Sequence, residues 1–195
     1  LLTNVHLLCK DGELTSAKIE EAASISRSCW TDEKKSVGTL VVVKAAILCG
    51  YTQPWIMEQS RQAIDWASSN ATLRSEMQEA ARLLLIDSII LKYCGRGARE
   101  LFRVDNPKHV INLLDFVIRS VKKPEQLRDI LDLCDTFLQL SKRDCVVAVL
   151  RQAIDKGQAD LCVGILDDPF KQNPTLSDEL LAWALSFVLE VLAEI

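Results

Sequence analysis

The sequence predicts an all-α fold, read as an irregular α-solenoid of antiparallel helical hairpins. Three observations carry that expectation. Apolar residues recur at helical spacing along nearly the whole chain. The 7 Gly and 5 Pro fall mostly between the periodic segments, which favours long helices over a strand-rich fold. Finally, Pro107, Pro124 and Ser141 stand in register, each seventeen positions after the last, and each opens an amphipathic segment.

In chain order, Leu1–Lys10 is a short apolar segment closed by Asp11-Gly12. Glu13–Trp30 reads as a helix capped by Thr15 or Ser16, with Ile19, Ala22, Ala23 and Ser26 on one side. Thr31 caps the next helix, and Asp32 and Glu33 sit in its first turn, where the helix dipole favours negative charge. Its expected stripe is Val37, Leu40, Val41, Lys44, Ile47 and Leu48, with Gly50 as the stop. Leu40–Val43 has strand propensity, but the continuing helical face decides for helix. An irregular junction is expected near residues 30–36, where the pattern restarts. Pro54–Ser69 follows as a helix holding Trp55 and Trp66. Asn70 or Thr72 caps Leu73–Cys94, whose run of Leu83, Leu84, Leu85, Ile86, Ile89, Ile90 and Leu91 leaves almost no polar face and predicts burial on several sides.

The most regular hairpins are expected over 107–168. Pro107 suits a first helical position, and Asn106 suits the cap before it. Val110, Leu114, Val117, Ile118 and Val121 make one face, widened by Ile111 and Leu113. The segment after Pro124 shows Leu127, Ile130, Leu131, Cys134, Phe137 and Leu138. The segment after Ser141 shows Val146, Val149, Leu150 and Ala153, ended by Gly157. A step of this length leaves helices of about fourteen residues, roughly 21 Å long, and short turns force neighbours to run antiparallel. Gln158–Leu166 is a short fourth helix. Asp167-Asp168-Pro169 breaks it, and Thr175 or Ser177 caps a last helix, Asp178–Glu194.

Hydrophobic residues at 49% with 26% charged predict a packed core and exclude wholesale disorder. A net charge of −4 argues against a nucleic-acid partner, which needs a basic field. The seven cysteines are odd in number and form no CxxC. They read as small buried hydrophobes of a reducing compartment, cytoplasmic or nuclear. The final helix and Leu73–Cys94 are too short or too interrupted by charge to be expected to span a membrane. The chain opens on Leu1-Leu2 inside an apolar pattern and closes on Ala193-Glu194-Ile195 without a cap. Residues 1–195 are therefore expected to be one solenoid segment of a longer chain.

No catalytic, cofactor or metal site is expected. The two histidines, His6 and His109, lie on different segments, and no GxSxG, HExxH or Cys–His signature accompanies them. His6 and Cys9 are spaced as a helical pair, but a zinc site needs a second pair. Gly95-Arg96-Gly97-Ala98-Arg99 is a basic, glycine-rich turn that lacks both phosphate-loop patterns and follows no strand; it reads as a helix stop. Asp129, Asp132 and Asp135 form an acidic stripe, and Lys122-Lys123 and Lys142-Arg143 sit at helix ends. Both are ordinary solvated faces, the stripe being also a possible docking strip for a basic partner. Trp30, Trp55, Trp66 and Trp183 are expected in packing; any that is exposed would make an interface anchor.

The chain carries neither the tetratricopeptide WxxLGxxY nor the ankyrin TPLH pattern. Leu131-Asp132-Leu133-Cys134-Asp135-Thr136-Phe137 and Ser141-Lys142-Arg143-Asp144-Cys145 resemble the degenerate helical hairpins of the Rough deal (Rod), NBAS and Sec39 group, over about residues 70–168. The resemblance implies a non-enzymatic scaffold whose partners are other protein subunits of a large complex, with no small-molecule substrate. For Rod, the favoured member, this is the kinetochore Rod–Zwilch–ZW10 complex of the spindle checkpoint; for the others it is vesicle tethering. A compact all-α domain binding a ligand or peptide in a Trp-lined groove is the alternative of a different class.

Overall fold

The computed structural model describes residues 15–95, 98, 107–137, 140–167 and 174–193. Among them the regular structure is helical, in nine α-helices and one short 3-10 turn. Backbone contacts divide the chain into two compact units, Leu1–Val104 and Asp105–Ile195, and each is described by itself.

The first unit holds α1 (Ser16–Arg27), α2 (Asp32–Cys49), α3 (Pro54–Trp66) and α4 (Ala71–Tyr93). Thr15 caps α1 by accepting from the Lys18 N–H at 3.4 Å, and Ile19, Ala22, Ala23 and Ser26 are its buried residues, the expected set. Thr31 caps α2 through the Lys34 N–H at 3.4 Å; the chain turns just before Asp32, and residues 32–36 of the expected irregular junction are regular helix. Gly50, at φ 61°, stops α2 with its N–H on the last carbonyls, a left-handed position that suits Gly. Asn70 caps α4 through the Leu73 N–H at 3.1 Å.

α2 is the centre of this unit and packs on α1, α3 and α4. Its expected stripe is corrected: Lys44 is exposed and Leu48 is 79% exposed, while Ser36, Gly38, Thr39, Leu40, Val42, Val43, Ala45 and Ala46 are buried. The physical reason is steric. A helix touched on three sides sits closest to its neighbours where its side chains are small, so small residues outrank a sparse line of large ones. Met77 and Leu84 of α4 and Ile56 of α3 complete the core; each such side chain contributes about 1.5–3 kcal/mol on burial. The second half of α4 buries Ile86, Asp87, Ile89 and Ile90, as its missing polar face requires.

The second unit holds α5 (Pro107–Ser120), the 3-10 turn Pro124–Gln126, α6 (Leu127–Thr136), α7 (Lys142–Asp155), α8 (Ala159–Asp167) and α9 (Pro174–Ala193). Helical segments begin at Pro107, at Pro124 and just after Ser141, the three positions in register. Val110, Leu113, Leu114, Val117, Ile118 and Val121 are buried, but Ile111 is 55% exposed, so the face widens on the Leu113 side alone. The Pro124 segment departs from the fourteen-residue expectation. Its first three residues are 3-10, and α6 then ends at Thr136, whose hydroxyl donates to the Asp132 carbonyl at 2.7 Å. Leu133 takes the buried place expected for Leu131, and Leu138 lies outside the described residues. α7 matches its expected stripe and adds Cys145 and Val147. α9 begins at Pro174, before the expected caps, because proline's fixed φ suits the first helical turn.

α7 is the hub here, packing on α5, α6, α8 and α9. Gln152 Nε2 donates to the carbonyls of Ile118 and Arg119 at 3.3 and 3.1 Å, and Lys156 Nζ reaches the Arg119 carbonyl at 3.4 Å. The bonds to Arg119 satisfy an acceptor at the end of α5, while the Ile118 carbonyl also accepts from the Val121 N–H at 3.3 Å. At the turn after α5, Gln126 Oε1 accepts from the Lys122 and Lys123 N–H groups at 2.8 and 3.0 Å.

Candidate interaction site

Of the four tryptophans, Trp30 stands apart. It is 99% exposed; Trp55, Trp66 and Trp183 are half-buried. The turn that carries Trp30 is fixed on both sides. Before it, Cys29 is buried, its N–H donates to the Ser26 carbonyl at 3.2 Å, and Ser28 Oγ donates to the Ile25 carbonyl at 2.7 Å. After it, Thr31 caps α2. The indole is thus held out from an anchored backbone, which lowers the ordering entropy that a partner must offset. The other three rings already have company. Arg27 lies over Trp55 at 5.9 Å, Lys35 lies over Trp66 at 5.6 Å, and Trp183 stacks on Phe187 at 5.6 Å.

Two shallow grooves lie within the units. One, of 560 Å³ between α2 and α4, has Ile47, Ala80 and Leu83 with Glu76 and Glu79 beside them, and Lys44 Nζ meets Glu76 at 3.5 Å across it. The other, of 610 Å³, lies between α7 and Trp183 of α9 and is edged by Arg143, Arg151 and Asp155. α9 also exposes Leu181 and Leu185, one helical turn apart. Within this unit α9 packs on α7, with Leu180 buried.

The residues singled out for chemistry do not converge. His109 is half-buried in the first turn of α5, and His6 and Cys9 lie outside the described residues. Among the described residues no group of three or more His, Cys, Asp or Glu is placed to hold a metal ion. Gly95, at φ 78°, gives its N–H to the Ile90 carbonyl at 3.1 Å and ends α4; Arg96, Gly97 and Arg99 lie outside the described residues. In the acidic stripe, Asp135 is exposed and ion-paired with Lys142 of α7, whereas Asp129 and Asp132 are half-buried.

One constellation escaped the reading of residues one at a time. Cys134 of α6 and Cys145 of α7 are both buried, with their sulfurs 3.5 Å apart and the Cys134 S–H donated to Cys145. The signal was present. Cys134 lies on the α6 stripe, Cys145 sits four residues before Val149 on the α7 stripe, and a short antiparallel turn brings those two ends together. None of the described helices is long and apolar enough to cross a membrane. Comparison with family models, with curated proteins and with solved structures finds no match to this chain.

Proposed function

We propose that the chain is a non-catalytic scaffold segment, a stretch of α-solenoid that holds other protein subunits in a large assembly. The observation that carries this reading is Trp30, an indole 99% exposed on a turn pinned by Cys29 and Thr31. Tryptophan is enriched among residues that dominate interface energy, where truncating one costs about 2 kcal/mol or more. The packing order supports the solenoid part. Within each unit most consecutive helices pack on each other, and several pack on the next but one: α2 on α4, α5 on α7, and α7 on α9. Stacked hairpins produce that pattern, burying a continuous core while leaving long faces free.

Within this class the hairpin resemblance around Cys134 and Cys145 favours a kinetochore scaffold of the Rod type, with an NBAS or Sec39 vesicle tether as the second assignment. The test is purification of the tagged chain from dividing cells, beside the Trp30→Ala variant. A scaffold recovers stoichiometric subunits that the variant loses, while its thermal melt stays within about 0.5 kcal/mol of the parent, as expected for a fully exposed side chain. Zwilch among those subunits, with the chain on unattached kinetochores, supports the Rod assignment. Recovery with endoplasmic-reticulum tethering subunits supports the second. A chain that brings down no stoichiometric subunit, or a variant that keeps them all, sinks the reading.

A further inference from the structure

We propose that Cys134 and Cys145 form an exchangeable dithiol–disulfide site that links α6 to α7 by reaction with a low-molecular-mass disulfide such as oxidised glutathione. The inference is independent of the scaffold reading. Four observations converge on it. The sulfurs are 3.5 Å apart, so the roughly 2.0 Å separation of a disulfide needs a small closing movement. Both residues sit on helix ends held together beside a short connection, where α6 and α7 pack on each other. The neighbours Asp135 and Lys142 form an ion pair between the same two segments, which keeps the ends in register. Cys145 is the fourth residue of α7, just after the Ser141 cap, where the helix dipole favours a thiolate.

The two sulfurs have unequal roles. The S–H donated by Cys134 lowers the Cys145 pKa below the ordinary thiol value, against some opposition from burial and Asp144. The same hydrogen bond, with burial added, pushes the Cys134 thiol up. With its place near the N-terminus of α7, this makes Cys145 the attacking thiolate and Cys134 the resolving thiol. Cys145 attacks one sulfur of the small disulfide, breaks its S–S bond and expels one thiolate, leaving a mixed disulfide. Cys134 then gives up its proton to the departing thiolate or to solvent and attacks the Cys145 sulfur. The second small thiol leaves as the intramolecular bond forms. Overall two protein thiols are oxidised, and one small disulfide is reduced to two thiols.

The experiment uses the reduced wild-type chain in oxidised glutathione without denaturant, followed by tryptic peptide mapping. The expected product links the peptide 129–142 to the peptide 144–151. It should form about ten times faster than any modification of Cys94 or Cys162, whose thiols burial pushes up. Cys134→Ser should stop at the mixed disulfide on Cys145, and Cys145→Ser should leave Cys134 unmodified. The proposal is overturned if the linked peptides appear only in urea, or if Cys94 and Cys162 react as fast as Cys145. Because the wild-type map decides the question, a variant that fails to fold does not shield it.

Discussion

Ser26 fills the space that a side chain on Gly38 would need. A Cβ built on Gly38 falls 2.6 Å from Ser26 Oγ and 2.9 Å from Ser26 Cβ. Ser26 cannot swing away freely, since its Oγ donates to the Lys35 carbonyl at 2.9 Å and meets Thr39 Oγ1 at 3.2 Å. Gly38→Ala should therefore destabilise the first unit by up to about 2 kcal/mol, an overpacking cost of about 1–3 partly offset by the roughly 1 kcal/mol helix gain of Ala over Gly. In a Ser26→Gly background the same change should cost nothing or stabilise. Equal costs in both backgrounds, by chemical denaturation, would refute the steric account.

That contact belongs to a buried chain of hydrogen bonds. Gln59 Nε2 donates to Thr39 Oγ1 at 3.1 Å, Thr39 meets Ser26, and Ser26 ends on the Lys35 carbonyl. Gln59 Oε1 is buried without a hydrogen-bond partner. Thr39→Val breaks the chain in the middle and strands the Gln59 amide, at a cost of about 1–3 kcal/mol. Gln59→Met removes the unsatisfied oxygen together with the amide and leaves the Thr39–Ser26 bond intact, costing less than about 1.5 kcal/mol. The predicted order, Thr39→Val worse than Gln59→Met, is read from denaturation midpoints; the reverse order would mean the chain contributes little.

In the second unit Gly164 of α8 plays a similar part. A Cβ there would run into Pro124 Cγ and lie 3.3 Å from Pro124 Cβ, so α8 rests directly on the proline of the 3-10 turn. Gly164→Ala should lower stability by up to about 2 kcal/mol, the overpacking cost of about 1–3 less the roughly 1 kcal/mol helix gain of Ala over Gly. Pro124→Ala removes the nearest atom and should rescue most of that loss. A double variant as unstable as the sum of the singles would place the clash elsewhere.

A pH effect follows from Tyr51, whose hydroxyl donates to Glu20 Oε1 at 2.6 Å. That hydrogen bond, helped by burial and by the carboxylate charge, raises the phenol pKa above its ordinary value. A raised pKa in the folded state means stabilisation that is complete below about pH 10, the unfolded value, and lost as pH climbs through the folded value. Wild-type melting should fall more steeply than that of Tyr51→Phe as pH rises above about 10. Parallel curves would show that the bond does not link Tyr51 ionisation to folding.

The helices themselves were legible in the sequence, because caps and breakers act locally. Thr15, Thr31, Asn70 and Ser141 each accept the backbone N–H that their position predicts, and Gly50 and Gly157 adopt the left-handed backbone that ends a helix. The face a helix buries was less legible. In α2 the size of the apolar residues pointed to Leu48, while the packing of three neighbours selected Gly38, Ala45 and Ala46. Pairing between helices was least legible: Cys134 and Cys145 each looked like one more apolar position, and their meeting depends on how two helices dock. Trp30 was identifiable as an anchor only on condition of exposure, which depends on whether neighbouring elements cover the α1–α2 turn.

The solitary exposure of Trp30 also gives the protein an intrinsic optical reporter. Its indole meets solvent on nearly every side, whereas the other three rings are partly covered and lie beside Arg27, Lys35 or Phe187. A collisional quencher such as acrylamide or iodide extinguishes the Trp30 emission first, at the red edge of the spectrum. Any molecule that settles on the α1–α2 turn shields that component and shifts it to shorter wavelength, so occupancy of the turn can be titrated in solution without attaching a dye.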